Sequence, residues 1–344
     1  MRCNFLKASY GDCFFLYIDH GDKVFTILVD GGPKSTYMRW NRGRLVAGSL
    51  KEELKSMAEH GEHIDLLIIT HIDDDHIGGI LSWFKDEVPS PDFVREVWMN
   101  DDTEVNISES LDNTAAQAAS LKKLMSDNGL ALRSKIVAGQ TVMFDWGEIT
   151  ILAPTAIQHN AVAGKIAKAI DEEQKSSLNN APNDNYNKDI KILLSEDWAM
   201  GDLSAENDAS IAFMLTTKTG ERGLFLGDAN IDTIISSLPA KQEKTQPLSC
   251  HFVKLSHHGS KNNFRPELLD MVKAGQYVVL TDGSYYGHPD KEVIAQIVDK
   301  TDAQILFNYI ERGHEMLTVQ DKLDYPCILD RLKSTDENRK AGEC

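Results

Sequence analysis

Short apolar runs separated by polar turns recur along most of this chain. Residues from Asp12 to Ile18, including Cys13-Phe14-Phe15-Leu16-Tyr17-Ile18, and then Val24 to Val29 flank a turn at His20-Gly21-Asp22, and read as two buried strands. Leu50 to His60 has helical spacing, and Ile64 to Thr70 is again a short continuous apolar run. Ile80 to Lys85 reads as helix, Glu96 to Met99 as strand, and Asn113 to Met125 as an Ala/Leu/Lys helix ending near Gly129. Thr141 to Phe144 and Ile149 to Leu152 flank Trp146-Gly147, a hairpin signal, with Pro154 closing the second strand. Further strands are expected at Ile211–Thr216, Gly223–Leu226, Phe252–Leu255 and Tyr277–Leu280, and a helix at Glu292–Val298. Strands and helices interleave throughout, which predicts an α/β fold.

One stretch breaks the rhythm. From about residue 155 to 202 the chain reads as an insertion. Ala161 to Glu173 is able to form a helix, and the polar run Asn179 to Asn187 is expected to be a mobile loop. The expected organisation is a single domain over residues 1–332, with this insertion and a frayed polar tail over 333–344. The length of 344 residues fits one large α/β domain with insertions.

Charge narrows the partners. With Lys+Arg 36 against Asp+Glu 53 the net charge is −17, so a polyanion meets a repulsive long-range field. Broad duplex-DNA binding is disfavoured, whereas a metal or a small anionic substrate answers to local charge. The five cysteines (Cys3, Cys13, Cys250, Cys327, Cys344) are scattered and form no C-x-x-C, so neither a zinc ribbon nor a disulfide framework is expected. No apolar run approaches the roughly 20 residues of a membrane span, and the N-terminus lacks a signal-peptide core. No membrane partner is expected, and the expected location is the cytoplasm.

The chemistry gathers where the expected strands end. Asp30, the cluster His71 to His76, Asp228, His257-His258, and Asp282 with His288 all follow apolar runs. Ligands just beyond strand ends can converge at one edge of a sheet sandwich. The densest signal is His71-x-Asp73-x-Asp75-His76, before Gly78-Gly79. Imidazole and carboxylate suit zinc, manganese or iron(II). Four such groups on a tight turn can serve two adjacent ions, which can deprotonate a water and clamp the attacking and leaving oxygens. The plainer alternative is a solvated acidic loop with a capping role at a helix start.

His71-x-Asp73-x-Asp75-His76 resembles the H-x-H-x-D-H signature of the metallo-β-lactamase superfamily, with Asp73 where the second histidine usually stands. That substitution is similar to the metallo-hydrolase domain of ComEC-type DNA-uptake channel proteins. Asn207-Asp208-Ala209-Ser210, Leu226-Gly227-Asp228, Lys254-Leu255-Ser256-His257-His258-Gly259-Ser260-Lys261 and Tyr286-Gly287-His288-Pro289 resemble that group's motifs in order. The matches span about Phe5 to Val298. The resemblance implies a four-layer αββα sandwich and two divalent metal ions, zinc or manganese. His71 and Asp73 would hold the first ion, Asp75 and His76 the second, with Asp228 bridging. One of His257 or His258 would complete the second site, with a slight preference for His257. The superfamily's third-motif histidine is missing, and Asp208 is the nearest replacement oxygen, beside Asn207. Two carboxylates in place of imidazoles would make the first site harder and favour manganese or a weakly held zinc.

Asp30 stands where the superfamily places a carboxylate that orients the metal loop, or it serves only the turn before Gly31. His288 is either a proton donor to a leaving group or a turn residue before Pro289. Ser260 and Lys261 are candidate contacts for an anionic substrate, with a helix N-cap equally open for Ser260. Tyr285-Tyr286 and the five tryptophans read mainly as turn and packing residues.

The leading expectation is a metal-dependent phosphodiesterase or nuclease acting on a nucleotide or a single-stranded nucleic acid, with a bacterial defence module as one setting. Asp75 and Asp228 would be essential to it. The alternatives are a carboxylic ester or lactone hydrolase of the same fold, and a non-catalytic module that binds a protein partner through the 155–202 insertion.

Overall fold

The computed structural model describes residues 1–100, 114–160, 184–196, 205–238 and 247–337. The N-terminal part builds a six-stranded sheet from β1 (Arg2–Phe5), β2 (Phe14–His20) and β3 (Lys23–Val29). After a small separate hairpin, β4 (Met38–Asn41) and β5 (Arg44–Ala47), it adds β6 (Ile64–Ile69), β7 (Val94–Met99) and β8 (Ala131–Arg133). The first three strands are antiparallel, and β3, β6, β7 and β8 run parallel. The later part builds an eight-stranded sheet from β9 (Thr141–Phe144), β10 (Gly147–Ala153), β11 (Ala212–Thr217), β12 (Arg222–Phe225), β13 (Leu248–Lys254), β14 (Val272–Val279), β15 (Gln304–Phe307) and β16 (Leu332–Ser334). Strands β9 to β12 are antiparallel, and β12 to β16 are parallel.

Period-two alternation sorts the side chains into three apolar layers. In β6, Leu67 and Ile69 face the helices 49–59, 74–86 and 114–127, while Leu66 and Ile68 face the other sheet. In β14, Tyr277 and Val279 face the helices 231–237 and 291–300, and Val278 faces the first sheet. Between the sheets lie Phe14, Leu16, Ile68, Trp98, Phe213, Phe225 and Leu306. Three cores separate four layers, the αββα sandwich expected. Burying both faces of the central parallel strands explains why they read as continuous apolar runs.

The topology places the loops that matter. β3, β6, β12, β13 and β14 all end at one edge, where Asp30, His71–His76, Asp228, Ser256–His258 and Asp282 follow. Ile211 N donates to Thr70 O at 2.9 Å, tying the two sheets at that edge.

Several expectations change. The first metal-motif acids open the helix Asp74–Asp86, which begins well before Ile80. β1, the β4–β5 hairpin, β15 and β16 lie outside the runs read as strands, because three to four residues carry little periodicity. The tail expected to fray from residue 333 instead begins as β16, paired to β15 through Lys333–Leu306 and Ser334–Phe307. The helix expected at 161–173 lies outside the described residues, as do residues 179–183 of the polar run. Its remainder, Asp184–Asn187, is a 3-10 turn and not a loose loop. Lys291, buried at the start of helix Lys291–Lys300, donates through Nζ to Lys188 O at 2.6 Å and Tyr186 O at 3.4 Å. Its charge is met by Asp321 Oδ2 at 2.6 Å, and Asp321 Oδ1 accepts from Ile190 N. Among the described residues no helix is long and apolar enough to cross a membrane.

Candidate metal centre

β6 runs directly into Thr70-His71, and Asp73 then starts the helix 74–86. The Asp73 side chain makes no capping bond; its backbone oxygen does the work, accepting from His76 N and Ile77 N at 2.9 Å. The capping alternative therefore does not account for this carboxylate. The helix packs so tightly on the Asp30 loop that a Cβ at Gly79 would lie 2.0 Å from Gly31 O. That close approach is the physical reason for the Gly78-Gly79 pair.

The same approach seats Asp30, wholly buried and held at a positive φ of 54°. Asp30 Oδ1 accepts from Thr70 N at 2.8 Å, and Oδ2 accepts from Thr70 Oγ1 at 2.7 Å. His76 Nδ1 lies 2.8 Å from Asp30 Oδ2. A carboxylate on Nδ1 fixes the ring and turns the Nε2 lone pair away from it. The orienting role, and not a bare turn, fits Asp30.

Asp228 lies at the middle of the arrangement. Gly227 ahead of it adopts a φ of 50°, and a Cβ there would stand 2.5 Å from Ser210 Oγ. Ser210 Oγ accepts from Asp228 N at 3.0 Å, which aims the carboxylate. Asp228 Oδ2 faces three imidazole Nε2 atoms: His76 at 3.5 Å, His257 at 3.7 Å and His71 at 3.8 Å. Burial alone would raise the Asp228 carboxyl, but the His76 and His257 imidazoles outweigh it and hold it well below its ordinary range. Asp75 is lowered in the same way against burial, by His76 and His258.

The histidine doublet is divided by a left-handed turn, with φ 45° at His257 and 55° at His258. Non-glycine residues pay strain there, a cost that collects at functional sites. His258 points into the interior, with Nδ1 2.9 Å from Leu280 O and Nε2 3.3 Å from Asp75 Oδ2. His257 faces Asn263 Oδ1 through Nδ1 at 3.0 Å, with Asn207 Nδ2 3.5 Å away. Burial pushes His257 down to about 4, so its imidazole is neutral at ordinary pH.

Two groups of donors, His71/His76/Asp228 and Asp75/His76/His258, each have ligand atoms within 4.8 Å of one another, as does a third, Asp12/Asp30/His76, whose carboxylates stand behind the rings. His76 belongs to all of them. The second contains His258, where the sequence reading leaned toward His257. His71 Nε2, His76 Nε2 and Asp228 Oδ1 are buried and make no hydrogen bond. Unpaired donors of this kind are costly unless something fills the space between them. Nitrogen and carboxylate oxygen together suit a zinc- or manganese-class divalent cation. These residues fit such an ion.

Other site residues fall around this core. Asp73 is partly exposed, with Oδ2 3.6 Å from His71 Nε2. Asp208 does not take the place of the missing histidine: its Oδ1 accepts from Asn230 Nδ2 at 3.0 Å, and it joins neither group. Asn207 is buried beside His257. Ser260 is 2% exposed, and its Oγ accepts from Asn262 N as a helix cap. Lys261 Nζ meets Glu292 Oε1 at 2.9 Å. His288 sits at the rim, its ring 5.1 Å from that of His257 and its Nδ1 3.5 Å from Asp290 Oδ2.

Two supporting residues escape sequence reasoning. Asp12 and Lys254 form an ion pair, each about 1% exposed. Asp12 Oδ1 lies 3.3 Å from His258 Nδ1, and Lys254 Nζ donates to Gly227 O at 3.3 Å. Burial would lower His258, but the Asp12 charge outweighs it and raises it to about 9, so a cation arriving there displaces a proton. The only signal was a buried-strand lysine, Lys254, which demands a buried acid somewhere.

The chain resembles several solved structures at low identity. A possible metal-dependent hydrolase from Veillonella parvula is 11% identical, with 96% of this chain and 95% of that one covered and a TM-score of 0.41. A diphosphatase from the PhnP family is 10% identical, with 94% and 81% covered and a TM-score of 0.37. A metallo-β-lactamase from Cronobacter sakazakii is 10% identical, with 78% and 83% covered and a TM-score of 0.32. None of these carries an argument about chemistry. No curated protein matches the chain. Residues 8–94, which supply Asp12, Asp30 and the whole His71–His76 turn, match the family model described as Metallo-beta-lactamase superfamily.

Proposed function

We propose that this chain is a metal-dependent hydrolase, and that its substrate is a phosphodiester in a nucleotide or a single-stranded nucleic acid. One observation carries the hydrolase reading: two donor groups share His76 and turn unpaired buried atoms of His71, His76 and Asp228 into one space. Bound divalent cations would supply Lewis acidity and a water acidified to near neutrality. His71, His76 and Asp228 would hold one, Asp75 and His258 lie ready for a second, and Asp73 and His257 stand beside the first set. Asp30 fixes the His76 ring, and the Leu280 carbonyl holds His258 Nδ1 with the Asp12 carboxylate 3.3 Å away. His288, at the rim beside Asp290, is placed to give a proton to a departing oxygen. The phosphodiester preference rests on the likeness of the motifs to ComEC-type domains.

The test is a panel of bis(p-nitrophenyl) phosphate, nucleotides, single-stranded DNA and RNA, and simple lactones, with added manganese or zinc. Turnover of phosphodiesters is expected. Turnover of lactones alone would replace this reading with the ester hydrolase.

A further inference from the structure

The rim of the metal centre carries a row of aromatic rings that the hydrolytic machinery leaves unused. Tyr286 packs edge-on to His257 at 5.9 Å between ring centroids and stacks over His288 at 6.0 Å. Tyr285 meets Tyr286 at 4.6 Å, and Tyr10 stacks on Tyr285 at 4.9 Å with the rings 24° apart. Burying these rings would be favourable, yet Tyr285 is 40% exposed and Tyr286 46%. The exposed aromatic surface therefore starts one ring away from the metal-facing histidines.

The loop that carries it is held rigid. Arg312 donates from Nη2 to Gly287 O at 2.6 Å and from Nε to His288 O at 3.1 Å. The Tyr186 hydroxyl donates to Pro289 O at 2.8 Å, and the Arg312 guanidinium lies 4.5 Å above the Tyr186 ring. Asp282 Oδ1 accepts from Ser284 N at 2.8 Å, and Asp282 N donates to Ser9 O at 2.8 Å. A ligand stacking here would not have to pay for ordering the loop.

The row continues toward positive charge. Beyond Tyr10, Ser9 N donates to the Tyr309 hydroxyl at 2.8 Å, and the Lys7 ammonium lies 5.6 Å from the Tyr309 ring. Arg39 belongs to the exposed β4–β5 hairpin, which also carries Arg42 and Arg44 and has no acid between residues 38 and 47. In a chain of net charge −17 this is a local basic patch. Rings that accept a base, followed by arginines that accept backbone phosphates, are the arrangement that binds unpaired nucleic acid without reading its sequence.

We propose that Tyr285 and Tyr286, backed by Tyr10, form a platform on which an unpaired nucleobase of the substrate stacks while its phosphodiester lies at the His76–Asp228 centre. The proposal rests on the phosphodiesterase reading and names its substrate class.

The test measures binding apart from turnover. The full chain with manganese is titrated against a phosphorothioate-linked oligothymidylate and against the same strand made of abasic deoxyribose units. Wild type is expected to hold the base-bearing strand about tenfold or more tighter. The Tyr285→Leu/Tyr286→Leu variant should erase that difference and leave abasic binding unchanged, whereas Tyr286→Phe should keep it. Equal affinity of wild type for both strands, or a difference that survives in the double variant, overturns the platform. Competition by thymidine monophosphate as strong as by the strand assigns the site to a mononucleotide; competition by the strand alone assigns it to a strand. If wild type cleaves no phosphodiester at all, the functional reading falls, and the base-versus-abasic comparison still decides the platform.

Discussion

Single atoms decide this site. Asp228 Oδ2 faces three imidazoles, so one carboxylate anchors the His71/His76/Asp228 group. Asp228→Ala is therefore expected to abolish hydrolysis and lower metal content while the far-ultraviolet dichroism stays that of the folded chain. Asp75→Ala should behave alike; full activity in either variant would reject the shared-site arrangement. Asp30 acts at one remove, through His76 Nδ1. Asp30→Ala is expected to weaken metal binding about 10- to 100-fold, read by chelator competition, because the ring loses its orienting partner. Asp12 offers a pH test with a definite sign. Burial would raise its carboxyl, but Lys254 and His258 outweigh it and bring it from 3.8 down to about 2. A carboxyl depressed on folding stabilises fully above its unfolded value and ceases to do so as pH falls through its folded one. Wild type should therefore lose stability between about pH 4 and 2 more steeply than Asp12→Asn; parallel acid-unfolding curves would remove Asp12 from this role.

At the scale of elements, the Asp12–Lys254 pair joins the segment before β2 to the end of β13, and so clasps one sheet to the other beside the candidate metal site. Lys254→Met leaves a buried carboxylate without its partner and is expected to cost roughly 3–5 kcal/mol in urea unfolding. Adding Asp12→Asn should restore much of that loss; a double variant as unstable as the single would show that packing, not charge, is at stake. The longer central strands, the hairpin at Trp146-Gly147 and the loops carrying Asp30, His71–His76 and Asp228 were legible, because long apolar runs and turn residues speak locally. β15 and β16 were not, since a four-residue strand inside a sheet differs little from any short apolar run. Asp12 was illegible for another reason: its meaning comes from a lysine 242 positions later, and no local pattern reports such a pairing. The doublet His257-His258 could not be divided in advance either, because a left-handed turn, invisible in residue types, sends the two rings in different directions.

For the whole molecule, charge and site pull in opposite directions. A net charge of −17 repels a long polyanion, while Arg39, Arg42 and Arg44 stand together on the exposed β4–β5 hairpin. Salt screens the global field within about 10 Å at 0.1 M. The rate constant kcat/KM for a long single strand is thus expected to rise, or hold level, between roughly 50 and 200 mM salt, where a basic binder would lose affinity steeply. A steep fall would show that the hairpin field dominates. The four layers also bring the segment around residues 185–190 beneath the rim loop, where the Lys291 ammonium grips main-chain oxygens of Tyr186 and Lys188. An anchor that reads backbone is indifferent to most side chains it holds. Residue 188 is accordingly free to drift in identity, whereas position 186, whose hydroxyl and ring both reach the rim, is not; distant relatives with the same docking should differ at the first and agree at the second.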